Sequence, residues 1–242
     1  TIIAMKLYPA VFIVLFIKNK KWRAILQTAL FTALLTLLAM LIIGATKENL
    51  AGLKINLALF DYFFQVYEAG MPHSHSLFAL IRFPLFVALT YGEITIKAFG
   101  AAVVMMQKPY MVFTLALFAF LAAHIVFVEK IFWKKLFLLA FAATFLPFVS
   151  FDYTLIILIV PLLFLFYEKP AKDDWTLLVL YSMLCAPLNF YVWIWMEVEV
   201  NTGVLLRPLI AILMVALIIS RPHYLNTFKN GVKAYFRPNY DK

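Results

Sequence analysis

The chain has 242 residues, of which 65% are hydrophobic and only 14% charged, which excludes an ordinary soluble domain. A formal charge of +9 would suit a nucleic acid, but the basic residues stand in loops between apolar runs, where they set membrane orientation. No nucleic-acid partner is expected, and 25 Phe, 12 Tyr and 5 Trp suit lipid-facing surfaces and interfacial belts.

A bilayer core of about 30 Å needs roughly 20 apolar residues in a helix. The chain opens at Thr1 inside an apolar run, with no charged n-region or cleavage site, so the expectation is the C-terminal part of a longer protein. A first helix is predicted over Ile2–Ile17 and a second over Ala24–Gly44. The loop Lys18-Asn-Lys-Lys-Trp-Arg23 joins them, and its four positive charges mark it as cytoplasmic. A long outer segment, Ala45 to Lys108, follows. Pro109–Val128 is predicted as the next span, with Pro at a tolerated first-turn position, and it ends at the basic loop Glu129–Lys135.

Ile131–Val149 and Tyr153–Tyr167 read as a hairpin of shorter spans with Ser150-Phe-Asp152 at its tip. Glu168–Asp174 returns the chain inward, Trp175–Trp195 crosses out, Glu197–Gly203 is a short outer loop and Val204–Ser220 crosses back. Tyr191, Trp193 and Trp195 fit an aromatic belt, and Glu197 and Glu199 a solvated loop. Cys185 stands alone in an apolar run, which leaves no intrachain disulfide and no cysteine metal site; it reads as small core packing.

Of the 21 Lys and Arg residues, 14 fall in the four inner segments and 6 at outer positions. This constrains Leu77–Gln107. A single crossing there would turn every later basic loop outward, so the stretch crosses twice or not at all, and Arg82, Glu93 and Lys97 favour short interfacial helices. The expected fold is an all-α multi-pass bundle of about seven spans. Residues 1–220 form its transmembrane domain, 45–108 an extracytoplasmic loop with interfacial helices, and 221–242 a basic cytoplasmic tail.

Polar residues in such a chain are few and costly: a charge at mid-span costs about 2.5–3.5 kcal/mol on insertion scales. Lys6, in Met5-Lys-Leu-Tyr-Pro9, either snorkels or faces a wet cavity. Asp152 is either a solvated turn residue or a cavity-facing ligand. Met71-Pro-His-Ser-His-Ser76 precedes an apolar helix. Its Ser and His side chains either cap that helix or, with Arg82, hold an anion at its N-terminus. His73 and His75, with no third ligand nearby, give little reason to expect a metal. Arg207-Pro208 adds an outer cation. No phosphate loop, serine-nucleophile elbow or zinc-protease motif occurs.

Lys6-Leu-Tyr-Pro9, an apolar run, Lys18-Asn-Lys-Lys-Trp-Arg23 and a further span resemble the middle of the polyprenol-phosphate-mannose-dependent mannosyltransferases. These form glycosyltransferase family 87 of the GT-C superfamily. His75-Ser-Leu-Phe-Ala-Leu-Ile-Arg82 resembles that family's outer-loop segment, and Phe151-Asp152-Tyr153 its late Asp-aromatic motif. The resemblance covers roughly Lys6 to Tyr167, and departs from the family at His73 to His75, where Asn-Gln is usual. It implies an enzyme of the cell membrane, such as a bacterial inner membrane, that works on the extracytoplasmic face without a cofactor. A hexose, mannose in the family, would pass from a polyprenyl-phosphate donor to a glycan or glycolipid acceptor. The binding residues it implies are Lys6, Tyr8, His75, Ser76, Arg82, Asp152 and Tyr153, with Lys97 and Arg207 as further outer cations. The catalytic carboxylate is expected before Thr1, so none is assigned. A lipid-linked polysaccharide polymerase or ligase, or a transporter or flippase, is the alternative. The sequence shows neither the internal symmetry of a transporter nor a well-supplied large loop.

Overall fold

The computed structural model describes residues 11–44, 47–60, 63, 74–168, 174–186, 191–194, 198–220 and 224–236. Lys6, Tyr8 and His73 lie outside them. In chain order the helices are α1 (Ile13–Lys18), α2 (Trp22–Ile43), α3 (Lys47–Phe60), α4 (Leu77–Thr90), α5 (Ile96–Phe127) and α6 (Phe132–Phe145). A 3₁₀ segment (Asp152–Leu158) leads into α7 (Ile159–Glu168), followed by α8 (Trp175–Cys185). Strands β1 (Tyr191–Ile194) and β2 (Val198–Asn201) precede α9 (Gly203–Ile219) and α10 (Tyr224–Phe236).

The core is built around α6, because its sequence is apolar on every face. Each residue from Trp133 to Phe145 is buried, with α5, α7 and α9 packed against the helix. Its two lysines enter the core at one end only, and each has a polar partner there. Lys134 pairs with Asp174 at 2.5 Å, and Lys135 donates to the Lys130 carbonyl at 2.8 Å. Antiparallel α5 fixes the level of the other end, where the Tyr110 hydroxyl donates to the carbonyl of Leu146 at 2.8 Å.

This α6 axis sorts the connecting segments. Lys18, Glu129–Lys135, Asp174 and α10 gather at its first turn; Ser74–Ser76, Phe148–Thr154 and Asn201–Arg207 gather at its last. Among the segments named here, those that loop charge groups together also share an end of α6.

Several expected boundaries move. Pro109 does not open a helix; it lies inside α5, which runs unbroken from Ile96 and replaces much of the expected interfacial stretch. Proline removes the bond to the carbonyl four residues back, here on Met105, a residue on the exposed face of α5 (78% exposed). The sixth run stops at Cys185, because Ala186 is forced extended by the following Pro187 (ψ 147°). In place of the expected helix end and loop, β1 and β2 pair antiparallel, with Val192 opposite Val200 and Trp193 opposite Glu199. Cys185 is exposed, since α8 buries the stripe Leu177, Tyr181 and Leu184 and Cys185 stands one position off it. Within the expected basic tail, Tyr224–Phe236 form amphipathic α10.

Two helices are long and apolar enough to cross a bilayer, Trp22–Ile42 of α2 and Ile96–Phe127. Both have a mean hydropathy of 2.2, and none of the α2 stretch is buried. The apolar helices Leu77–Thr90, Thr154–Glu168, Trp175–Cys185 and Gly203–Ile219 are shorter, 10–17 residues. Among the described residues the chain is thus helical with one small hairpin, and two of the seven expected spans reach membrane length.

Candidate functional site

The polar cluster at the last turn of α6 is built on Ser76, the N-cap of α4. Its extended backbone (φ −73°, ψ 156°) lets the hydroxyl accept from Ala79 N at 3.1 Å, as the sequence suggested. The same hydroxyl donates to the Phe148 carbonyl at 2.9 Å. Its single proton is thereby used, so Ser74, 3.1 Å away, must donate to it. Ser74 Oγ in turn accepts from Ser150 N at 3.2 Å, and His75 N donates to Ser150 O at 2.7 Å. The hairpin tip is zipped along the 74–76 segment by backbone and hydroxyl bonds. Thr154 Oγ1 donates to Phe151 O at 2.7 Å, which makes Ser150 the donor in the 2.7 Å Ser150–Thr154 contact.

The third strand of chain to arrive is the start of α9. Asn201 Oδ1 accepts from Gly203 N at 2.8 Å. Arg207, 4% exposed, reaches back to place Nη1 2.9 Å from His75 Nε2. Gly203 leaves room for this fold-back, since a Cβ there would stand 3.2 Å from Arg207 Nη1. Guanidinium carries donors only, so His75 accepts through Nε2 and its proton sits on Nδ1. That imidazole is neutral.

Arg82, fully buried, lies one and a half turns into α4 with its Cζ 4.7 Å from the centre of the Phe78 ring, a cation–π contact. Phe78 packs against Tyr110 (tilted, 4.7 Å) and edge-to-face against Phe148 (5.0 Å), tying Arg82 to the same end of the bundle. Beside this aromatic group, α4 and α5 flank a cleft of about 230 Å³ lined by Phe78, Ile81, Met106, Pro109, Tyr110 and Phe113. Its walls are apolar, and Ile81 and Phe113 remain half exposed at its mouth.

Of the residues singled out in the sequence, His75, Ser76 and Arg82 all lie buried at this end. The backbone of Asp152 and Tyr153 opens the 3₁₀ segment directly after Ser150 and Phe151. Lys97 is exposed on the first turn of α5. The sequence named Arg207 only as an outer cation; its pairing with His75, and the parts of Ser150, Thr154 and Asn201, depend on tertiary contacts no local pattern encodes. A charge-bearing residue one turn into an apolar run was the available signal for Arg207. Among the described residues no three acidic, His or Cys groups cluster to hold a metal. No family model, curated protein or solved structure matches the chain.

Proposed function

We propose that the chain belongs to a membrane glycosyltransferase that moves a hexose, mannose by the resemblance noted above, from a polyprenyl-phosphate donor to a glycan or glycolipid acceptor on the extracytoplasmic face. The observation that carries this reading is the juxtaposition at one end of an apolar bundle. Buried hydroxyls, a neutral imidazole and two buried guanidinium groups share the end of the bundle where Phe78, in contact with Arg82, lines a cleft with apolar walls. Such a pairing suits a ligand with an anionic head and a hydrocarbon tail.

In the proposed reaction the acceptor oxygen bonds to the anomeric carbon as its proton passes to a carboxylate base. The bond from that carbon to the phosphate oxygen breaks, and the charge left on the lipid phosphate is met by Arg82 and Arg207. The phosphate is assigned to these arginines and to Lys6. His75 holds Arg207 in place, while Ser76 anchors the segment and Asp152 orients the acceptor or a neighbouring cation. Tyr8 and Tyr153 are carried as substrate-binding residues by the resemblance alone.

The test is transfer from radiolabelled polyprenyl-phosphate mannose in membranes carrying the full-length protein. Arg82→Ala and Arg207→Ala should each lower transfer by at least tenfold at unchanged protein level. Wild-type rates in both would refute the assignment, and substrate translocation without transfer would move the protein to the transporters.

A further inference from the structure

The opposite end of the bundle carries a second surface, unconnected with sugar transfer. Helix α10 docks there through one face. Phe228 and Tyr235 pack edge-on against Phe127 at 5.5 and 5.6 Å. The Tyr235 hydroxyl donates to Ile17 O at 2.9 Å. Gly231 crosses so close that a Cβ would meet the Phe127 carbonyl oxygen at 1.7 Å. At 100° per residue, Val232 and Phe236 then project roughly at right angles to the docked face, and Lys229 and Lys233 still further round. Phe236 is 70% exposed and both lysines are exposed.

Two features of this surface call for an anionic partner. Lys229 and Lys233 stand one turn apart, an arrangement that weakens a helix by like-charge repulsion, and neither α10 nor the 18–23 loop contains an acidic residue. That loop presents exposed Lys20, Lys21 and Arg23 around a 57% exposed Trp22. Lys20 Nζ sits 5.0 Å from the centre of the Tyr235 ring, so the loop and helix form one continuous basic face. Cations beside an exposed Trp and Phe, next to membrane-length α2, match a bilayer interface better than a soluble polyanion.

We propose that this face binds the headgroups of anionic phospholipids, with α10 lying along the bilayer surface and Phe236 and Val232 turned toward the acyl chains. The test titrates short-chain phosphatidylglycerol or phosphatidylcholine into the full chain held in neutral detergent at low salt. Phosphatidylglycerol should bind more tightly and weaken as salt rises. A lysine near an anionic surface contributes about fivefold in affinity, so the double variant Lys229→Gln/Lys233→Gln should lose about 25-fold. Lys47→Gln/Lys54→Gln, which removes the same charge from exposed α3, should bind as wild type. Equal affinity for the two lipids, or wild-type binding by the Lys229/Lys233 variant, would overturn the proposal. So would displacement of the lipid by an equimolar amount of inorganic phosphate, which would mark a site for the free ion.

Discussion

Arg207 and His75, 132 positions apart in sequence, meet at 2.9 Å inside the bundle, and the chemistry of the pair dictates its protonation. The guanidinium cannot accept, so the imidazole must. His75→Gln keeps an acceptor near that point, whereas His75→Ala leaves a buried cation without it. The alanine variant should lose about 1–3 kcal/mol of stability, and the glutamine variant should lose less. Thermal unfolding in detergent compares them directly; equal losses would show that imidazole bulk, not its lone pair, is what matters.

Ser76 is the hinge of the hydroxyl chain, since one side chain caps α4, holds Phe148 O and receives Ser74. Ser76→Ala removes all three bonds in a site fully shielded from water. The expected cost is about 1–2 kcal/mol, with faster amide exchange concentrated at Ala79 and at Ser150. Ser76→Thr keeps the hydroxyl and should recover most of the exchange protection.

Gly203 makes space for the Arg207 fold-back. Gly203→Ala places a methyl group 3.0 Å from Asn201 Oδ1 and 3.2 Å from Arg207 Nη1, tight enough that the arginine must shift by a few tenths of an ångström. If Arg207 binds the donor phosphate, this variant should raise the donor KM several-fold with little change in melting temperature. A lower melting temperature at unchanged KM would limit Arg207 to a structural role.

How far the sequence could be read follows from where its signals are local. The apolar runs of α2 and α9 are interrupted by no charge until their ends, apart from Arg207, and both appear within two residues of the expected bounds. The Ser76 cap was legible because a cap is a four-residue event. Pro109 misled because proline reports a lost hydrogen bond, and whether that loss ends a helix depends on what surrounds the freed carbonyl. The hairpin was hidden because Tyr191-Val-Trp-Ile194 is as apolar as a span; Pro187, with the aromatic and branched residues after it, was the cue for strand. The partners of His75 could not be read at all, since a contact spanning 132 residues leaves no periodicity.

Gly231 offers a test of the α10 docking that owes nothing to lipid. Its Cα faces the Phe127 carbonyl so closely that no side chain fits, and the obstacle is backbone. Gly231→Val should lift α10 from α5 and break the Tyr235 contact with Ile17, with protease sensitivity appearing between Tyr224 and Phe236. Tyr235→Phe removes only the hydroxyl bond, about 1 kcal/mol, and should leave the helix docked. Protection of the segment in Gly231→Val equal to wild type would rule out the crossing.

Lys18 gives the basic end a pH signature. Its ammonium donates to the carbonyls of Ile125 and Glu129, closing the end of α5. Burial, and then the neighbouring charge of Lys135, push it down from 10.5 to about 8. A lowered pKa on a cation means the folded protein holds that proton less tightly than the unfolded chain does. Below about pH 8 the charge is present in both states and the folded one carries the full disadvantage. Between about 8 and 10.5 the unfolded chain binds more protons, so stability rises with pH, and above that window Lys18 contributes no further change. Lys18 is only half buried, so solvent screening keeps the gain small. Lys18→Gln should flatten that rise in denaturant titrations across the window; an unchanged slope would assign it to the other lysines.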